Sequence, residues 1–83
     1  MRPSVAIIIL NWNNPADNLA RLRSVAALEY PAERLQVIVV DNGSTDDSVA
    51  RIRAAYPDVT LIETGANLGY AGGNNVGIRY ALA

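Results

Sequence analysis

Residues 35–48 read Leu-Gln-Val-Ile-Val-Val-Asp-Asn-Gly-Ser-Thr-Asp-Asp-Ser, and this stretch holds an apolar run, a polar tip and the start of the next element. Residues 35–40 are apolar almost without interruption, the pattern of a strand covered on both faces as in a parallel sheet. The run closes on Asp41, after which the Asn42-Gly43 pair offers two continuations. A hairpin would return the chain antiparallel, whereas a helix needs cap oxygens followed by apolar residues at three- to four-residue spacing. Val49, Ile52 and Tyr56 supply that spacing, after a Ser/Thr cap and two aspartates that suit the positive end of a helix dipole. The stretch is therefore strand, loop, helix, and Asp46 and Asp47 take a structural role in the first turn.

The same unit repeats on either side. Residues 4–10, Ser-Val-Ala-Ile-Ile-Ile-Leu, form a first strand, and Asn14-Pro15 with Asp17 beyond starts a helix. Leu19, Leu22 and Val25 or Ala26 give that helix an apolar face, with Asn18, Arg21 and Arg23 elsewhere on the wheel, and Tyr30-Pro31 stops it. Pro57 ends the second helix, residues 59–62 supply a short third strand, residues 65–73 a glycine-rich loop, and residues 75–82 a third helix. The order β-α-β-α-β-α predicts an α/β fold: a Rossmann-like, three-layer parallel sheet with helices on both faces and strand order 3-2-1. Ligands of such sheets bind beyond the carboxyl ends of the strands, here residues 11–14, 41–44 and 64–74.

Composition narrows the chemistry. Apolar residues at 51% and charged residues at 18% over 83 residues describe one small globular domain, which buries only about 60% of its unfolded surface. With no cysteine and no histidine, disulfides, thiolate metal sites and a histidine base are excluded, so acid chemistry falls to carboxylates. Seven arginines against eight acidic residues leave a net charge of −1 with no basic block, which argues against a nucleic-acid partner. Residues 5–10 are too short a run for a secretory or membrane segment, so a cytoplasmic location is expected.

Each polar tip has a functional and a structural reading. Asp41 at the end of a buried strand suits a hydrogen bond from a ribose hydroxyl or a pyrimidine imide N–H, and equally suits an Asx turn. Trp12 between Asn11 and Asn13 suits stacking on a base, and taken alone better suits closing the end of the sheet. Residues 67–75, Asn-Leu-Gly-Tyr-Ala-Gly-Gly-Asn-Asn, bring small residues and amides to a helix start, where free N–H groups favour an anion or polar ligand. Neither Gly-x-Gly-x-x-Gly after the first strand nor a Gly-Lys-Ser/Thr triplet occurs.

The ordered motifs SVAIIILNWN, VIVVDNGSTDDS and NLGYAGGNNVGI resemble the opening of GT-A-fold family 2 glycosyltransferases across nearly the whole chain. The asparagine-rich NWN and GYAGGNN forms are most similar to the rhamnosyltransferase-like and galactofuranosyltransferase-like branch that builds cell-surface polysaccharide. The resemblance implies a partial GT-A fold in which residues 1–83 are the N-terminal nucleotide-sugar-binding part of a domain truncated at its C-terminus. It implies base contacts from Leu10, Asn11, Trp12 and Asn13, a base or ribose contact from Asp41, and closure over the nucleotide by Asn67, Gly69, Gly73 and Asn74. Many family members carry an arginine where this sequence has Asn74, so a charged contact is replaced by a neutral amide.

For the full-length protein the resemblance implies a UDP- or dTDP-sugar donor, a saccharide or lipid-linked acceptor, and inverting transfer. A divalent Mg or Mn ion is implied as well, with its ligands and the catalytic base outside this chain. The full-length protein would be cytoplasmic or peripheral at the inner face of the membrane. The 83 residues alone would transfer no sugar, and would self-associate through the first strand, whose outer edge the order 3-2-1 leaves bare. Two other classes fit the same fold: a non-catalytic nucleotide-binding module and a small α/β interaction domain.

Overall fold

The computed structural model describes residues 4–28 and 32–82. Strands β1 (Val5–Asn11), β2 (Leu35–Asp41) and β3 (Thr60–Glu63) alternate with helices α1 (Pro15–Ala26), α2 (Ser48–Ala55) and α3 (Gly69–Leu82), and a 3-10 turn, Ala32–Arg34, leads into β2. The sheet is parallel with β2 in the middle, the order 3-2-1 read from its other edge. Val5 lies opposite Leu35 and Asn11 opposite Asp41; Asp41 in turn lies opposite Glu63. Since β1 and β2 are equally long and in register, their polar ends meet.

Side chains alternate between the two faces with the two-residue period of a strand. Ile9 and Val39 pack with Leu22 of α1 and Ile52 of α2, and Ile7, Val37, Leu61, Leu19, Tyr56 and Val59 extend that cluster. Ile38, Val39, Val40 and Ile52 are fully buried, each contributing about 1.5–3 kcal/mol of transfer free energy. On the other face α3 approaches so closely that a Cβ on Gly77 would lie 2.7 Å from Ile8 Cγ2, and one on Gly73 would lie 2.5 Å from Leu10 Cδ2. These two packings make the three layers that the sequence predicts.

Four local readings need correction. The third helix starts at Gly69, not residue 75; its glycines lower helix propensity, but those at 73 and 77 are what let it lie against the sheet. Asn18 is fully buried, not on the polar side of α1. At the start of α1, Pro15 occupies the first turn as expected, yet the Asn14 side chain makes no cap hydrogen bond. At the start of α2, Asp47 is the N-cap residue without a side-chain bond, and Asp46 does the capping: its Oδ1 accepts from Ser48 N at 2.9 Å and from the Ser48 hydroxyl. Helix α1 ends at Ala26, and the stop read at Tyr30-Pro31 lies outside the described residues. Among the described residues β1 pairs with β2 alone, and no helix is long and apolar enough to cross a membrane.

Candidate functional site

The carboxyl ends of the strands carry a connected polar network. Asn11 Nδ2 donates to Asp41 Oδ1 at 2.8 Å and to Ser44 Oγ at 3.1 Å. Ser44 Oγ also donates to Asp41 Oδ1 at 2.6 Å, while the Ser44 amide donates to Asp41 Oδ2 at 3.0 Å. Asp41 is only 3% exposed, so its carboxylate depends on these donors in place of water. A carboxylate has about four acceptor positions. The three protein donors fall two on Oδ1 and one on Oδ2, which leaves acceptor capacity on Oδ2.

The first loop is tied to the second. Asn13 has φ +50°, an αL conformation that asparagine tolerates better than most residues. Its amide donates to Ser44 Oγ at 3.0 Å, and its Oδ1 accepts from Thr45 N at 2.8 Å and Asp46 N at 3.2 Å. The third loop is tied in through Thr64, whose amide donates to the Asp41 carbonyl at 2.9 Å, and through Asn42, whose Nδ2 donates to the Gly69 carbonyl at 3.0 Å. Gly43, at φ +78°, meets the Ala66 backbone so closely that a Cβ would lie 3.0 Å from it. Three loops distant in sequence thus form one rim.

The residues singled out from the sequence divide by environment. Asn11 and Asp41 are buried at the centre. Leu10 abuts Gly73 on the α3 side, and Asn74 is half-buried one residue further along α3, at the same end of the sheet. Trp12 is 53% exposed beside the rim, a free aromatic surface and not a plug closing the sheet. Asn67 caps α3, its Oδ1 accepting from the Gly69 amide at 2.9 Å, and Gly69 opens that helix at φ +75°. Sequence reading missed Asn18, Asn42, Ser44 and Thr64 as members of the network. For Asn18 the signal was available, because 18, 22 and 25 fall on one helical stripe.

The helix cap has an electrostatic consequence. Hydrogen bonds from the Ser48 hydroxyl and then the Ser48 amide hold the exposed Asp46 carboxyl below the usual carboxylate range. Among the described residues no three Asp, Glu, His or Cys side chains cluster together. A hollow of about 490 Å³ between Ser4, Val5, Glu33, Arg34, Leu35 and Leu82 lies at the amino ends of the strands. The polar rim, not this hollow, is the candidate site, since parallel sheets bind ligands at their carboxyl ends and the buried polar groups gather there.

Comparison with known proteins identifies the family. The description of glycosyl transferase family 2 matches residues 6–83. The chain is 38% identical, over 99% of its length and 24% of the relative's, to a low-salt glycan biosynthesis hexosyltransferase, Agl10, of Haloferax volcanii. It is 43% identical, over 69% of its length and 18% of the relative's, to an N-acetylglucosaminyl-diphospho-decaprenol L-rhamnosyltransferase of Mycobacterium tuberculosis. Its fold superposes with a TM-score of 0.87 and 30% identity on a mannosyltransferase of Pyrobaculum calidifontis in complex with GDP-Man and Mn2+, over 96% of this chain and 25% of that one. The chain therefore spans about a quarter or less of these proteins. With the partial GT-A architecture and motif order both present, the chain belongs to glycosyl transferase family 2.

Proposed function

We propose that residues 1–83 are the N-terminal nucleotide-sugar-binding part of a larger transferase domain, and that the polar rim holds the nucleotide of a sugar-nucleotide donor. The observation that carries this reading is Asp41: a buried carboxylate at the central strand end, oriented by Asn11 and Ser44, with acceptor capacity left on Oδ2. A ribose hydroxyl or base N–H donates there. Trp12 offers an aromatic face to the base, Leu10, Asn11 and Asn13 line it, and Asn67, Gly69, Gly73 and Asn74 close over the nucleotide.

The donor is a UDP- or dTDP-sugar and the acceptor a saccharide or lipid-linked saccharide. The rhamnosyltransferase relative, named for a sugar carried on decaprenol diphosphate, supports a lipid-linked acceptor, with the enzyme cytoplasmic or peripheral at the inner membrane face. In the full-length protein the acceptor oxygen attacks the anomeric carbon as the bond to the nucleoside diphosphate breaks, and a carboxylate outside this chain takes the hydroxyl proton. A divalent cation would be held by residues outside this chain. The 83 residues alone transfer nothing and self-associate along the bare edge of β1.

Proton NMR of the product formed by the full-length protein from a sugar nucleotide tests the reading. Inverting transfer gives a glycoside of opposite anomeric configuration to the donor. Retained configuration, or no dependence on any of UDP-, dTDP- or GDP-sugars, would refute it.

A further inference from the structure

Asn18 is an asparagine with no exposed surface, in the first turn of α1, and the nucleotide reading gives it no part. Its hydrogen bonds have only one consistent direction. Arg21 Nη1 lies 2.9 Å from Asn18 Oδ1, and a guanidinium can only donate. On the other side Asn18 Nδ2 lies 3.1 Å from the Leu10 carbonyl, which can only accept. With both ends of the Asn18 amide thus fixed, its NH2 group faces Asn11 Oδ1 at 2.7 Å. Asn11 must then turn its own NH2 group toward Asp41 Oδ1 and Ser44 Oγ, and the carboxylate closes the chain as an acceptor. The sense of every bond, Arg21 to Asn18 to Asn11 to Asp41, is dictated from its two ends.

We propose that Asn18 is a positioning residue for the nucleotide site: it sets the sense of the Asn11 amide, and so keeps Asp41 Oδ1 engaged by the protein and Oδ2 free for the ligand. This rests on the nucleotide-binding reading of Asp41. The direction of the relay is a separate matter and can be tested without any ligand.

Asn18→Asp keeps the shape and the bond from Arg21 but presents only acceptors to Asn11 and Leu10. Asn11 then flips, and its oxygen confronts the Asp41 carboxylate. Asp41→Asn placed in that background supplies an NH2 group to the flipped oxygen, while its own oxygen still accepts from the Ser44 amide. A relay of fixed sense therefore predicts that, in the full-length protein, Asn18→Asp and Asp41→Asn each lower the thermal midpoint. The double variant should recover at least about half of the loss, the mark of coupled neighbours. Additive losses would overturn the relay. Should Asn18→Asp fail to fold, a folded double variant is itself the recovery, and an unfolded one the refutation.

The functional arm titrates full-length Asn18→Leu, which fills the same space without donors, with UDP, dTDP and GDP in the presence of Mn2+. A positioning role weakens whichever nucleotide the wild type binds by about tenfold, the effect of losing one hydrogen bond to a charged group, and raises the donor KM while the acceptor KM stays put. A purely space-filling role leaves affinity unchanged at temperatures well below the midpoint, and that result would overturn the proposal. If Asp41→Ala weakens nucleotide binding and Asn18→Leu does not, the positioning role fails and the site reading stands. If Asp41→Ala has no effect, the site reading fails, and the positioning role with it.

Discussion

Asp46 shows how a single exposed side chain carries a pH signature. Its carboxyl is held low in the folded chain by Ser48, so the folded state favours the ionised form more than the unfolded state does. The stabilisation is present at pH values above the ordinary carboxylate range, and is lost as pH falls through the depressed folded value. Asp46→Asn keeps an acceptor for Ser48 but no charge. Its thermal midpoint should lie slightly below that of wild type at pH 7, and the two should converge once pH falls below the depressed folded value; a gap that persists unchanged in acid would contradict the capping account. Asp41 illustrates the limit of reading one residue at a time. Sequence spacing left Asx turn and ligand contact as alternatives, and the structure contains the turn, with the Ser44 amide as the protein donor on Oδ2. Asn18 was misread because its polarity outweighed its place on the apolar stripe of α1.

At the scale of elements, the strands were legible because each is a short β-branched run between polar tips, and hydrophobic pattern alone fixes such runs. The start of α3 was not legible. Gly72 and Gly73 lower local helix propensity, and what requires the glycine at 73 is contact with Leu10 of β1, far away in sequence. Gly77→Ala sets the two effects against each other in a variant. Helix propensity favours alanine by about 1 kcal/mol, whereas overpacking of a filled interface costs about 1–3 kcal/mol. The added Cβ would lie 2.7 Å from Ile8 Cγ2 and 3.2 Å from Val40 Cγ2, both on stiff β-branched side chains, so packing should win. Chemical denaturation should show Gly77→Ala less stable than wild type by about 1 kcal/mol. Greater stability would mean that α3 is not pressed against the sheet.

For the whole molecule, parallel register is what turns three separate loops into one rim, because β1, β2 and β3 end level with one another on Asn11, Asp41 and Glu63. The motif order carried the family; the network that ties the loops together, Asn18 and Ser44 in particular, needed the fold. The same topology leaves β1 paired on one side among the described residues, with no proline or charge from Val5 to Leu10 to discourage another strand. Sedimentation velocity of the 83-residue chain should accordingly show mass above the monomer that grows with concentration, and a monomer throughout would count against an available edge.

The central claim, that Asp41 receives the nucleotide, is tested most directly by calorimetric titration of UDP, dTDP and GDP into full-length wild type and Asp41→Ala in the presence of Mn2+. The account predicts that the nucleotide bound by wild type binds the variant more weakly by about 1–3 kcal/mol, the range for losing a hydrogen bond to a buried charged group. Equal affinity for a folded Asp41→Ala would contradict it.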